Sequence, residues 1–402
     1  MIQFAKRVDK LKPASVYEII KRADEADLTR AEGDKVVRLF VGNPGPETMP
    51  YADIAKISEG ILSRGPVPSL TYGPTEGYPP LRAHLKKYLA DKFNIGTDDD
   101  EIIITSGATQ AIELVARAFS DEGDKVITEN PTFVGTLGSF NCYGKEIVGV
   151  DMETDGMDLD KLEKALAKHK DVKFIYVIPN FHNPTSWTMT LEKRKRLYEL
   201  ALKHGVALLE DDAYRDLRYT GDDIPTLKSM DTHGIVFYTG SFSKVISPGL
   251  RVGYIVMNKK FVDKLSAAKQ VTDVHTTTLS QMIVHEFMTN YDYDQHILDI
   301  RDIYREKLAV TLKGLKEHLG DKIEYIVPDG GLYVYCKLPE HIDTMEFYQK
   351  GLEMGAVIVY ASSFYVNQDA KSPYFRINFS APSLKDLERG MKILGEVMKL
   401  FE

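Results

Sequence analysis

The sequence predicts an α/β protein: a mostly parallel central sheet with helices on both faces, joined to a smaller α+β domain. Three observations carry this reading. Between residues 100 and 257, short apolar runs alternate with longer amphipathic ones, as happens when helical crossovers cover both faces of a parallel sheet. After about residue 300 that alternation gives way to one long helix pattern followed by several strand patterns. A chain of 402 residues also exceeds what one hydrophobic core usually serves, so two domains are the natural division.

The elements follow in order. VYEIIKRADEADLTRA (16–31) is a helix pattern too small to cover the sheet alone, and it is expected to pack with the C-terminal unit. EIIITS (101–106) reads as a strand that runs through Gly107 into the helix ATQAIELVARAF, where Ile112, Val115, Ala116 and Phe119 share one face. KVITE (125–129), VKFIYVIP (172–179), GVALLED (205–211), GIVFYTG (234–240) and RVGYIVM (251–257) are further strands. LDKLEKALAKH (159–169) and LEKRKRLYELALKHG (191–205) are helices between them. YREKLAVTLKGLKEHL is then a helix, and IEYIVPDGGLYVYCKLP, AVIVYAS and YFRINFS supply the strands of the smaller unit. The expected division is a large domain over 46–299 and a small one built from both ends, 1–45 and 300–402.

Composition narrows the function. Hydrophobic residues at 43% and charged residues at 27% are ordinary for a soluble enzyme. The net charge is −8 with no Lys/Arg-rich block, which argues against nucleic-acid and membrane partners. Cys142 and Cys336 are the only cysteines, a usage that fits a reducing compartment, and no Cys/His cluster has metal-ligand spacing. The opening MIQFAKRVDKLKPAS has no apolar h-region or small-residue cleavage site, and no run approaches the ~18 apolar residues of a membrane span. A cytoplasmic protein with no bound metal is the expectation.

Four segments carry chemistry. In Thr239-Gly-Ser-Phe-Ser-Lys244-Val-Ile-Ser-Pro-Gly-Leu-Arg251 a lysine sits among small hydroxyl residues directly after an apolar strand. Ser241, Ser243 and Arg251 offer hydroxyls and a guanidinium fork suited to phosphate. The competing reading is a loop lysine beside a Pro248-Gly249 turn. Glu210-Asp211-Asp212-Ala213-Tyr214 ends another strand, at the edge where α/β sheets bind ligands; alone, such an acid is more often a helix cap. Asn180-Phe-His-Asn183-Pro184-Thr185 would alone be a turn. Ser106-Gly107-Ala108-Thr109 opens a helix whose first N–H groups form an anion site, a junction many ligand-free proteins share. Four such signals at strand ends of one sheet reinforce one another.

Together these residues resemble the fold-type-I pyridoxal-phosphate enzymes, class I/II aminotransferases, and within them the kynurenine/2-aminoadipate and aromatic amino-acid subgroup. TYGPTEGYPPLR (71–82), ITSGATQAIELV, ENPTFVGT, IPNFHNPT, LLEDDAYRDL, GSFSKVISPGLRVG, TDVHTTTLSQ and SPYFRINFS stand in the family's order over nearly the whole chain. The resemblance implies a Schiff base between Lys244 and pyridoxal 5'-phosphate, with the freed amine moving the substrate's Cα proton. Asp211 is then the partner of the pyridine nitrogen, Tyr214 and Asn183 those of the ring hydroxyl, and Phe133 the residue stacked on the ring. Ser241, Ser243, Arg251 and the N–H groups of Ala108 and Thr109 hold the phosphate. Tyr72 reaches it from a neighbouring subunit, which implies a homodimer with shared sites. Arg376 clamps the substrate α-carboxylate, and Gly42 lets the backbone approach it. Asp212 is expected to cap or solvate the turn after its strand.

The sequence departs from the family at three places. Ser186 follows Thr185 where relatives commonly have glycine, so the turn is expected to avoid a glycine-only conformation. Ala108 and Thr109 stand where close relatives often carry Ser and Gln, so fewer side chains are expected to reach the phosphate. Glu18 stands near the position of an arginine used by some aminoadipate enzymes. The implied activity is transfer of an amino group from an amino acid to 2-oxoglutarate by a ping-pong cycle. A C–S β-lyase of the same fold is the alternative enzyme. A DNA-binding regulator with an aminotransferase-like domain is disfavoured, because the pattern begins near residue 14 and the chain is acidic.

Overall fold

The computed structural model describes residues 15–65 and 68–402; the leaderless opening expected for 1–14 lies outside them. Strand β1 (Val37–Arg38) belongs to no large sheet. Eight strands form the central one: β2 (Asp100–Thr105), β3 (Lys125–Asn130), β4 (Glu146–Glu153), β5 (Gly156–Met157), β6 (Val172–Val177), β7 (Ala207–Asp211), β8 (Val236–Ser241) and β9 (Gly253–Asn258). Their spatial order is β2-β9-β8-β7-β6-β3-β4-β5. The run β8-β7-β6-β3-β4 is parallel, whereas β9 is antiparallel to both β8 and β2. β2, β6, β7 and β8 therefore end at one edge of the sheet, and β9 begins there.

Period-two alternation explains why these segments are strands with both faces buried. Val126, Phe174, Tyr176, Leu209 and Phe237 join one core with the helix Ala108–Phe119, through its Ile112 and Val115. Their sequence neighbours Ile127, Ile175, Val177, Leu208 and Val236 join another with the helices Leu159–Lys168 and Leu191–His204. Each fully buried Ile, Leu or Phe stabilises by roughly 1.5–3 kcal/mol. The helix ends are set locally: Asp158 and Thr190 accept N–H bonds as N-caps, and Gly205 closes Leu191–His204 at φ +66. Strand β4, which the sequence reading did not single out, lies near the sheet's far edge and buries only Val150 fully, so its apolar signal is diluted.

A second sheet contains β10 (Glu324–Tyr325), β11 (Tyr333–Lys337), β13 (Val359–Tyr360) and β14 (Tyr374–Asn378), all antiparallel. Strand β12 (Ala356–Val357) pairs in parallel with β1, which joins the chain's two ends. The long helix Tyr293–His318 packs on the C-terminal helix Leu384–Met398, and the helix Ser15–Asp27 touches the helix Thr344–Met354. Cys142 and Cys336 are both free thiols. Among the described residues no helix is long and apolar enough to cross a membrane.

Candidate active site

A cavity of about 550 Å³ opens where the parallel strands end. Gly42, Ala108, Thr109, Phe133, Asn183, Asp211, Tyr214, Ser241, Ser243, Lys244, Arg251 and Arg376 all line it. Of the expected site residues only Tyr72 stands apart: it is 86% exposed, packs edge-on to His275 and does not line its own chain's cavity. A second cavity of the same volume, between 90–94 and 215–230, contains none of these residues.

Lys244 follows β8 on a tight turn, where the N–H groups of Val245 and Ile246 donate to Phe242 O and Ser243 N–H donates to Ser241 Oγ. Its Nζ donates to Gly42 O at 2.8 Å. Burial, reinforced by the Arg376 and Arg251 charges, holds this amine below the usual lysine range. That favours the neutral form, which is a nucleophile and a base.

Asp211 closes β7 with its carboxylate in the cavity wall. Tyr176 Oη donates to Oδ2 at 2.7 Å and Thr239 Oγ1 to Oδ1 at 3.4 Å. Both partners are neutral, and burial pushes the carboxyl up to about 6. The group is suited to a ligand that brings a positive charge. Its neighbours point elsewhere, as alternation requires. Glu210 accepts from the Leu227 and Lys228 N–H groups. Asp212 corrects an expectation: instead of a solvated cap it is buried, accepting from Asn180 Nδ2 at 2.7 Å and Tyr238 Oη at 3.0 Å.

Among the described residues, two arginines in the cavity bond only to neutral oxygens. Arg251, at φ +52, donates to Ser106 O, Ser243 Oγ and Pro248 O. Gly107 beside it has φ +81, and a Cβ there would lie 2.3 Å from Arg251 Nη2, so this cradle requires glycine. The helix Ala108–Phe119 opens here with no side-chain cap, which leaves N–H groups directed at an anion. A network missed by sequence reading braces that helix end: Ser106 Oγ and Gln110 Nε2 donate to Asp273, which pairs with the buried Lys269. Arg376, on β14, donates to Asn183 Oδ1 at 2.6 Å and Phe40 O at 2.8 Å, and its Nε has no partner among the described residues.

Asn183 also donates to Tyr214 Oη at 3.3 Å. Phe133 precedes the helix Val134–Cys142 and borders the cavity with its ring. Ser186 overturns the expectation for its turn: it adopts φ +61, the conformation that glycine takes freely. Its Oγ donates to Tyr333 O at 2.6 Å and its N–H to His182 O, offsetting a cost of about 1–2 kcal/mol for a residue with a Cβ. Trp187 packs edge-on to Tyr335, outside the cavity. Sequence reading missed Tyr333 altogether. It begins β11 after the Gly330-Gly331 turn, and an aromatic opening a strand after a tight turn is too common a pattern to stand out.

The cavity thus offers an amine, a buried carboxylate awaiting a cation, an anion cradle, and a second guanidinium with an unused N–H. The family model for Aminotransferase class I and II matches residues 54–394. The chain belongs to this family. The aromatic-amino-acid aminotransferase 1 of Thermococcus litoralis is 34% identical over 400 residues, which is 98% of this chain and 94% of that one. The kynurenine aminotransferase of Pyrococcus horikoshii, solved in complex with PMP, KYN and KYA, superposes with a TM-score of 0.92 at 32% identity and covers 99% of this aminotransferase and 97% of its own chain. The α-aminoadipate aminotransferase of Thermus thermophilus, complexed with N-(5'-phosphopyridoxyl)-L-leucine, has a TM-score of 0.88 at 31% identity, covering 98% and 97%. This aminotransferase is a transaminase that uses pyridoxal phosphate, acting on amino and oxo acids. Its cavity fits that cofactor: the Gly107–Arg251 cradle suits a phosphate, and Asp211 suits a protonated ring nitrogen.

Proposed function

We propose that this aminotransferase moves an amino group from an aromatic, large apolar or aminoadipate-like amino acid to 2-oxoglutarate in a ping-pong cycle. The observation that carries the reading is the meeting, in one cavity, of Lys244, Asp211, Arg251 and Arg376, each lacking a fixed partner of opposite charge among the described residues. Bound pyridoxal phosphate supplies an electron sink for the pair left on the substrate Cα when its proton leaves. Lys244 would anchor the cofactor, and its amine, when free, would hold and move the proton of the substrate Cα. Asp211 holds the proton on the pyridine nitrogen, and Tyr214 and Asn183 hydrogen-bond the ring oxygen. Phe133 stacks on the ring. Ser241, Ser243, Arg251 and the N–H groups of Ala108 and Thr109 hold the phosphate. Arg376 binds the substrate α-carboxylate, which Gly42 lets approach the backbone.

The cations of the cavity lining are all assigned by this scheme. The substrate side chain meets Val16, Tyr17 and Ile20 of the N-terminal helix, an apolar wall that favours aromatic and large apolar donors. A donor screen with 2-oxoglutarate, following glutamate formation in wild type and Arg376→Ala, tests both assignments. The wild type should prefer phenylalanine, tyrosine or leucine over aspartate. Arg376→Ala should lower kcat/KM for every donor alike, by roughly 30- to 5,000-fold, because about 2–5 kcal/mol is lost when a buried charge pair loses one member. A preference for aspartate refutes the substrate reading; a loss confined to one donor refutes the role of Arg376.

The homodimer is part of the same proposal. Leu70, Tyr72 and Val271 are 78%, 86% and 81% exposed, apolar side chains that a second copy would cover. Tyr72 would then serve the partner's phosphate. Mixed Tyr72→Phe and Lys244→Ala subunits should regain activity, because some hybrids carry both lesions in one site and none in the other. A fully active monomer by light scattering would exclude sharing. The division into 46–299 and 1–45 with 300–402 is likewise proposed, supported by the β1–β12 pairing, with the helix Tyr293–His318 carrying the chain between the units.

A further inference from the structure

Tyr333 has no part in the scheme above, yet it lines the same cavity. Its hydroxyl is 3.4 Å from Tyr214 Oη. A Cβ on Gly42 would fall 2.5 Å from that same hydroxyl, so Gly42 leaves room for this oxygen as well as offering its carbonyl to Lys244. The ring is fixed by the Arg376 guanidinium, whose carbon is 4.1 Å from the ring centroid, and by the Tyr214 ring packed against its edge. Its strand is pinned from the other side, where Ser186 Oγ donates to Tyr333 O. The hydroxyl is thus held in place, buried, with Tyr214 as its one hydrogen-bond partner among the described residues.

We propose that Tyr333 is a positioning residue that donates its hydroxyl proton to Tyr214 and so strengthens the hydrogen bond Tyr214 gives to the cofactor's ring oxygen. The direction follows from counting donors, and it rests on the role proposed for Tyr214. Tyr214 Oη already accepts from Asn183 Nδ2 at 3.3 Å, and its own proton is committed to the ring oxygen. What remains on that oxygen is a lone pair, which only a donor can use. A phenol that accepts one hydrogen bond becomes a stronger donor in the next, because linked hydrogen bonds polarise one another.

The consequence is read at the Lys244 nitrogen. The cofactor's ring oxygen attracts the proton carried by that nitrogen when the two are linked. Every hydrogen bond the protein donates to the ring oxygen draws charge away and makes the proton easier to lose. Tyr333 therefore lowers the pH at which the linkage deprotonates. The charged groups around this centre are Asp211 on β7, Arg376 on β14, and Lys244 and Arg251 on the segment after β8; a Tyr→Phe change alters none of them.

The test is an absorbance titration of purified holoenzyme over pH 5–10 in four forms: wild type, Tyr333→Phe, Tyr214→Phe and the double variant. Removing one neutral hydrogen bond should raise the chromophore's midpoint in Tyr333→Phe by about 0.5 pH unit. Tyr214→Phe should shift it further in the same direction. Adding Tyr333→Phe to Tyr214→Phe should shift it no more, because the path runs through the Tyr214 hydroxyl. A Tyr333→Phe midpoint equal to wild type overturns the proposal. So does an equal shift in both backgrounds, which would mark a general effect of the lost hydroxyl. A purified wild type with no chromophore at any pH would overturn the cofactor scheme itself, and that outcome is distinct from both.

Discussion

Lys244→Ala is expected to abolish turnover while leaving the fold in place. The side chain contributes one hydrogen bond, to Gly42 O, from the wall of an open cavity, so its removal leaves no closed void in a core. Chemistry suffers far more. In the proposed scheme the amine is both the anchor of the cofactor and the group that carries the Cα proton, and no other lysine among the described residues lines the cavity. A positioned proton carrier supplies up to about 10⁴-fold by itself, so kcat should fall by ~10⁴-fold or more. Steady-state rates with 2-oxoglutarate and far-UV circular dichroism check the two halves separately. Turnover within tenfold of wild type would show that the proton travels by another group.

Asp211→Asn should be the next most damaging change, and it separates activity from stability. The carboxylate is buried, accepts from neutral donors among the described residues, and is pushed up to about 6. A folded-state value above the unfolded one means that folding favours the protonated acid. Stability contributed by this group is greatest below the unfolded value near 3.8 and is lost as pH rises through about 6. At pH 7 the ionised group thus costs the protein stability unless a cation sits against it. Asparagine keeps the size and the Tyr176 bond without the charge. The apo variant should melt at or above the apo wild type at pH 7, while proton transfer at Cα slows by two to four orders of magnitude, the kinetic equivalent of about 3–5 kcal/mol for one member of a buried charge pair. Asp212→Asn should do the reverse. It replaces an acceptor facing Asn180 and Tyr238 with an amide, at a cost of about 1–3 kcal/mol in stability, and leaves the single-turnover rate of folded enzyme near wild type. If Asp212→Asn is the slow enzyme, the strand faces are assigned in reverse.

How far the sequence leads depends on what kind of signal a residue leaves. The strand ends were legible because β2, β6, β7 and β8 are short apolar runs that each stop at a chemically distinctive tetrad, and parallel topology sends all four to one edge. The family resemblance, with its aspartate three positions before Tyr214, chose Asp211 over its acidic neighbours, and the cavity wall contains Asp211 and neither of them. Burial of Asp212 was not legible, because its partners Asn180 and Tyr238 come from the segment after β6 and from within β8. Ser186 misled for a related reason. Backbone preference argued against φ > 0, and the bond to Tyr333 O that compensates comes from a segment 147 residues away. Tyr333 is the same case in a functional residue: nothing in GGLYVY marks it until β11 is laid beside Tyr214, Gly42 and Arg376.

The central claim is that the cofactor is held on Lys244 and on no other of the chain's lysines. Borohydride reduction of the yellow holoenzyme fixes the linkage, and proteolysis with mass spectrometry locates it. The account predicts one modified peptide, containing Ser243-Lys244-Val245, and loss of the chromophore in step with its appearance. A phosphopyridoxyl group on any other lysine, or an unlabelled Lys244 in fully reduced and inactivated enzyme, would contradict it.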